Sequence, residues 1–257
     1  MFPLRAVHRP SRVPWLTRIL VGACVLVWLW QVFAGGSSYG IERLGARPVC
    51  LLAPSVCGFD AVRHPLQWLW PMFASLFMHA SLWHLALNLW FLWVFGPAVE
   101  DKMGRIKFPV FYLFCGLAAS AAHYITQPFS AIPVVGASGA IAGILGAYLV
   151  WQPRGWILTY VPPFWVFPVP APLFLMLWAL SQVAGAFRIW SPNGASNIAW
   201  MAHLGGFAFG AWWAWRKTRR KKATAPPKVS SSPKFAPRSK PSTVDFDRTP
   251  KNKKAAP

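Results

Sequence analysis

Six apolar runs, at about residues 19–34, 81–98, 108–126, 134–151, 167–187 and 198–215, decide most of what this chain can become. Each approaches the ~17–25 residues that a helix needs to cross a bilayer, the first being a little short. The expected fold is therefore all-α, a bundle of six transmembrane helices over residues 19–215. A basic cytoplasmic segment, 1–18, precedes it and a basic tail, 216–257, follows. The connections are short except for 35–78, and the 156–166 connection is itself apolar and rich in proline, which leaves the start of the fifth run open.

Composition supports a membrane protein. Of the 257 residues 55% are apolar and only 12% charged, against about 25% charged in soluble domains. The formal charge of +20 raises the question of nucleic acid, but 14 of the 26 Lys and Arg lie from Arg216 onward. That stretch, rich in Pro, Ser and Lys, cannot bury a core and is expected to be disordered. Its first part, Arg216-Lys217 and Arg219-Arg220-Lys221-Lys222, reads as a topology anchor against anionic lipid rather than a nucleic-acid surface.

Charge also orients the bundle. With the N-terminus inside, the inner segments hold Arg5, Arg9, Arg12, Arg18, Lys102, Arg105, Lys107, Arg154 and the tail, and the outer ones only Arg43, Arg47, Arg63 and Arg188. This is the positive-inside asymmetry, and it puts both termini in the cytoplasm. The first run has a second reading as a cleaved signal peptide, but no A-x-A site follows Phe33. The short loops and the lack of a targeting peptide point to a bacterial inner membrane. Cys24 and Cys115 fall inside runs and read as small apolar fillers. Cys50 and Cys57 fall in the outer loop, where an oxidising compartment permits a disulfide. The cysteine spacing does not make a four-ligand metal site, and no cofactor or metal is expected.

Polar groups inside lipid are expensive and usually functional. Three of the runs carry them near the same end: Gly136-Ala137-Ser138-Gly139, Ala202-His203-Leu204-Gly205-Gly206, and His79 to Asn88 with His84 between. Counting from the start of each run, Ser138, His203 and His84 all lie roughly 5–8 Å below the outer surface at ~1.5 Å per residue. Two G-x-x-x-G pairs, Gly139 with Gly143 and Gly206 with Gly210, allow close approach of the fourth and sixth runs. That approach would bring the Ser138 hydroxyl to the His203 imidazole. His84 and Asn88, four apart, share one helical face and can donate hydrogen bonds to a developing negative charge together with the Ser138 N–H. Taken singly, each motif also has a plain packing reading: a serine between glycines packs, and a His or Asn glues helices. His79 reads as a cap of the second helix or a loop hydrogen-bonder. Glu100, with Gly104 four residues on, reads as fixing the inner turn between the second and third runs.

At these residues the chain resembles the rhomboid family of intramembrane serine proteases. The match comprises G-x-S-G at Gly136 to Gly139, A-H-x-x-G at Ala202 to Gly206, H-x-x-x-N at His84 to Asn88, then Leu89-Trp90 and Gly96-Pro97-Ala98-Val99-Glu100. The resemblance implies a six-helix fold, Ser138 as nucleophile, His203 as general base and acid, and His84, Asn88 and Ser138 N–H as oxyanion donors. It also implies hydrolysis of peptide bonds in or near the transmembrane segments of other proteins, within the lipid bilayer. It places Trp68 and Trp70 as interfacial anchors, the loop from Arg188 to Asn197 as a cap, and the fifth helix as a lateral gate. The chain departs from the family pattern where Pro71 follows Trp70 in place of arginine, and where Ala142 stands in place of a tyrosine that stacks on the histidine. No acid lies within the runs to complete a triad, so a dyad is expected. The rival readings are a non-cleaving relative that binds membrane clients, and a small transporter. The sequence leaves the physiological substrate and the oligomeric state open.

Overall fold

The structure is a computed structural model that describes residues 1–7, 10–58, 69–187 and 199–223. The chain is mostly helical. In order come strand β1 (Phe2–Ala6) and helix α1 (Trp15–Phe33), followed by α2 (Ser37–Leu44), α3 (Pro48–Leu52), a 3-10 turn (Pro54–Cys57) and α4 (Trp70–Ala74). Then come α5 (Leu82–Met103), α6 (Lys107–Thr126), α7 (Ser138–Trp151), strands β2 (Trp156–Val161) and β3 (Trp165–Pro170), α8 (Ala171–Ala186) and α9 (Trp200–Ala223). Each of the six apolar runs contains a helix, α1, α5, α6, α7, α8 and α9 in turn, the fifth only from Ala171 onward. Helices α1, α5 and α6 are long and apolar enough to cross a membrane, while α7 and α8 are shorter apolar helices. Much of the outer surface is hydrocarbon, with Leu26, Phe33, Trp83 and Trp93 all more than half exposed. Water would not tolerate so continuous an apolar surface, which marks an integral membrane protein.

Helix α7 is the axis of the bundle, with every residue from Gly139 to Tyr148 buried. Its Gly- and Ala-rich sequence permits this, because small residues let neighbouring backbones close in. A Cβ on Gly206 would strike the carbonyl of Gly139, one on Gly210 the carbonyl of Gly143, and one on Gly146 the carbonyl of Phe207. Helices α7 and α9 therefore meet backbone to backbone, as their G-x-x-x-G pairs require. With 14 residues, α7 is about 21 Å long at 1.5 Å per residue, shorter than a hydrocarbon core of about 30 Å.

Two buried side chains staple α1 to the α5 region, one at each end. Glu100, 3% exposed, accepts from the backbone N–H of Leu16 and Thr17 and from the Thr17 hydroxyl at 3.0, 2.8 and 2.7 Å. These are orphan donors of the first turn of α1, so the carboxylate is an N-terminal cap supplied by another helix. The expected role for Glu100 at the α5–α6 turn belongs to its backbone alone, whose carbonyl accepts from Gly104 N–H at 2.7 Å. At the other end Gln31 grips the backbone of His79, accepting from its N–H at 3.0 Å and donating to its carbonyl at 3.1 Å. The cap of α5 is Ser81, whose hydroxyl accepts from His84 N–H at 3.1 Å. Of the two roles expected for His79, a helix cap or a loop hydrogen-bonder, the first thus belongs to Ser81.

The all-α expectation needs one correction. Strands β1, β2 and β3 form an antiparallel sheet in that order, pairing Phe2 with Tyr160 and Trp156 with Pro170. The apolar connection that left the fifth run's start open is this hairpin. Prolines at 162, 163, 168 and 170 exclude helix, and the aromatic and β-branched residues between them favour strand. Pro172 then sits in the first turn of α8, where a missing N–H costs nothing.

The 35–78 connection is partly helical. Cys50 and Cys57 are joined in a disulfide with Cα atoms 5.6 Å apart. Cys24 and Cys115 are free and fully buried, as fillers should be. Trp70 begins α4 and is 61% exposed. Trp68, the loop segment 188–198 and the tail from 224 onward lie outside the described residues. The stretch from Arg216 to Arg220, expected in the tail, continues helix α9.

Candidate active site

Ser138 is the first residue of α7, reached through Gly136, whose φ of 127° is open to glycine and strained for other residues. A Cβ on Gly136 would also stand 2.7 Å from His84 Nε2 and 3.6 Å from the Ser138 hydroxyl. The first glycine of the G-x-S-G motif thus has two jobs, turning the chain and leaving a space that His84 and Ser138 both face. The loop before the serine is pinned by the Gly136 N–H, which donates to the Ser75 carbonyl at 2.8 Å.

The close approach of α7 and α9 sets the next contact. The Ser138 hydroxyl lies 2.8 Å from Nε2 of His203. Both residues are half-buried, sheltered but reachable. As the first helical residue, Ser138 has a backbone N–H with no acceptor inside α7, and the positive end of the helix dipole lies there too.

On α5, Nδ1 of His84 lies 3.4 Å from the Ala80 N–H, which can only donate. In that arrangement Nε2 carries the imidazole hydrogen, on the side facing Gly136 and Ser138. Asn88, one turn further in and buried, donates from Nδ2 to the His84 carbonyl at 2.9 Å, leaving its second amide hydrogen to spare. The structure thus joins Ser138 to His203 and turns His84 toward the same space, with Asn88 stacked beneath it.

Three contacts on His203 were not foreseen. Its Nδ1 lies 2.7 Å from Oε1 of Gln182, a residue of α8 that is 6% exposed. The rings of Trp178 and Trp200 flank the imidazole, each with its centroid at 6.3 Å, the second edge-on. These two tryptophans surround the ring where Ala142 offers no aromatic. Trp200 seats itself against Gly185, where any Cβ would collide with the indole, and so α8 comes close to α9 at this level. A polar side chain in the middle of an apolar run was the available signal for Gln182. His79 shares the region through an edge-on contact with His84 at 5.2 Å.

Comparison with known proteins gives the family. The family model described as the Rhomboid domain matches residues 66–220. The putative rhomboid protease YdcA of Bacillus subtilis is 33% identical over 106 residues, covering 41% of this chain and 52% of that protein. The rhomboid protease GluP of the same organism is 31% identical over 138 residues, covering 53% of this chain and 24% of the relative. The mitochondrial presenilin-associated rhomboid-like protein of Homo sapiens is 30% identical over 145 residues, 56% of this chain and 36% of its own length. The chain spans about half or less of the length of these relatives. Because the domain match takes in more than half of the chain, including Ser138, His203, His84 and Asn88, this is a member of the rhomboid family.

Proposed function

We propose that this chain is an intramembrane serine protease that cleaves peptide bonds in or near the transmembrane segments of other membrane proteins. The observation that carries the reading is the 2.8 Å approach of the Ser138 hydroxyl to His203 Nε2 at the start of the central helix. A packing serine has no need of an imidazole at that distance. His203 takes the Ser138 proton as Oγ bonds to the peptide carbonyl carbon and the carbonyl electron pair moves to oxygen. The oxyanion is met by the Ser138 N–H and by the spare donors of His84 and Asn88. Collapse breaks the C–N bond, and His203 delivers its proton to the leaving amine. Water then attacks the acyl-enzyme, giving a proton to His203 that returns to Ser138.

The six apolar helices α1 and α5 to α9 are the proposed spans, with both termini cytoplasmic. The disulfide in the α1–α5 connection, on the side with fewer cations, supports this orientation. In this reading hydrolytic water reaches Ser138, which is half-buried at the start of α7, from the outer face. Residues 19–215 form the membrane domain in this reading, and the basic segments at either end hold it against the cytoplasmic leaflet.

Labelling with a serine-reactive fluorophosphonate tests the proposal. The adduct is expected on Ser138 and should disappear in Ser138→Ala and His203→Ala, along with cleavage of a single-span reporter. Cleavage that persists in Ser138→Ala would refute it, and a protein that neither labels nor cuts any reporter would be a client-binding relative.

A further inference from the structure

We infer that Gln182 is a positioning residue that holds His203 in the tautomer needed for proton abstraction, in place of the carboxylate that completes a triad elsewhere. The inference rests on the Ser138–His203 reading above. Hydrogen-bond accounting around the amide carries it. The Ser181 hydroxyl donates to the Trp178 carbonyl at 2.6 Å, so its only hydrogen is committed and its oxygen can then only accept. Nε2 of Gln182 lies 2.9 Å from that same Ser181 oxygen and 3.3 Å from the Trp178 carbonyl. Both neighbours are acceptors on this side of the amide. Flipping the amide would set oxygen against two oxygens, so NH₂ faces Ser181 and Trp178 and Oε1 faces His203.

Across the 2.7 Å contact, Oε1 has no hydrogen to give and Nδ1 must supply one. A neutral imidazole carrying its hydrogen on Nδ1 has its lone pair on Nε2, the atom 2.8 Å from the Ser138 hydroxyl. The opposite tautomer would present an N–H to Ser138 and a lone pair to an amide oxygen, and the base would be disarmed. Gln182 thus does for orientation what the buried aspartate does in a triad, where loss of the correct tautomer is costly. It does so without placing a second charge in a low-dielectric site, where an unpaired carboxylate is expensive. Burial of Gln182 under α9 keeps water from competing for either partner.

Two substitutions separate this role from packing. Gln182→Leu keeps much of the shape and removes the acceptor, whereas Gln182→Glu keeps an oxygen toward Nδ1. Reporter cleavage by the full chain in detergent should show kcat down roughly 10- to 100-fold for Gln182→Leu, the range for losing the orienting partner of a metal-bound histidine. KM should stay within about twofold, because uniform substrate binding is untouched. Gln182→Glu should retain most of the rate, and its carboxylate should move the acidic limb of the pH–rate profile to higher pH by about a unit. The electrostatic neighbour of His203 is His84 of α5; α6 carries Lys107, Tyr112, Cys115, His123 and Tyr124, and α7 only Tyr148. Helix α8 brings no ionisable side chain, and the cations of α9 begin at Arg216. A new carboxylate at 182 is therefore the group that would move the limb.

Full kcat in Gln182→Leu beside an inactive Ser138→Ala would overturn the inference and leave the protease reading intact. Equal losses in the Leu and Glu variants with an unmoved pH profile would reduce Gln182 to packing. An active Ser138→Ala would instead remove the reading on which the inference rests. Should Gln182→Leu fail to fold, the pH profile of Gln182→Glu decides alone.

Discussion

The carbonyl of Gly139 lies where a side chain on Gly206 would have to stand. Gly206→Ala forces α7 and α9 apart, at the level where Ser138 meets His203. Overpacking of this kind costs roughly 1–3 kcal/mol. Thermal unfolding in detergent should show it, and reporter cleavage should fall by more than the loss of folded protein explains. Gly22→Ala, where a Cβ meets nothing within 4 Å, is the control and should stay within about 0.5 kcal/mol of the parent.

His84→Ala and Asn88→Ala each remove one donor aimed at developing charge. Removing such a donor in a hydrolase costs on the order of 10²–10³ in kcat. The loss should appear in kcat with KM nearly constant and with the unfolding temperature of Asn88→Ala only modestly lowered. A change confined to KM would mean that these groups bind substrate rather than the transition state.

Glu100→Ala strips the first turn of α1 of its cap and leaves the fully buried Thr17 hydroxyl without its acceptor. Each buried group left unmet costs about 1–3 kcal/mol. The unfolding temperature should drop clearly, while the activity of the folded fraction stays near the parent value. Glu100→Gln, which retains one acceptor oxygen, should lose less.

His79 gives the fold a sensitivity to acid. Burial, with His84 nearby, holds its imidazole down at about 3. An unfolded histidine titrates near 6.5, so between these values the unfolded chain binds the extra proton. Stability is then full above about pH 6.5 and is lost progressively as the pH falls toward 3. Unfolding temperatures measured across that window should decline with acidity in the parent and more shallowly in His79→Phe.

Much of this site could be read from the chain because lipid makes polar residues conspicuous. Ser138, His203, His84 and Asn88 stand out in apolar runs, and the glycine spacing foretold which helices touch. Gln182 stood in a run just as apolar, yet nothing in its local sequence pairs it with a histidine 21 residues away. Only the seat that Gly185 offers Trp200 makes that meeting visible. Gln31 was equally silent, and the motif that ends at Glu100 gave no sign that its carboxylate caps α1. The sheet escaped for a different reason. A period of two is hard to see when both alternate positions are apolar, and prolines hid the strand as a loop.

The partners in that sheet emerge far apart in synthesis. Phe2 is made well before Tyr160, and its edge must wait for that residue to find a mate. Trp90 donates to the Pro3 carbonyl at 2.6 Å and can hold the waiting segment against α5. Strand β1 is thus a latch that closes late, after the helices from α1 to α7 have been laid down. Shaving it off should leave those helices able to insert but the nascent hairpin ahead of α8 without its fastening.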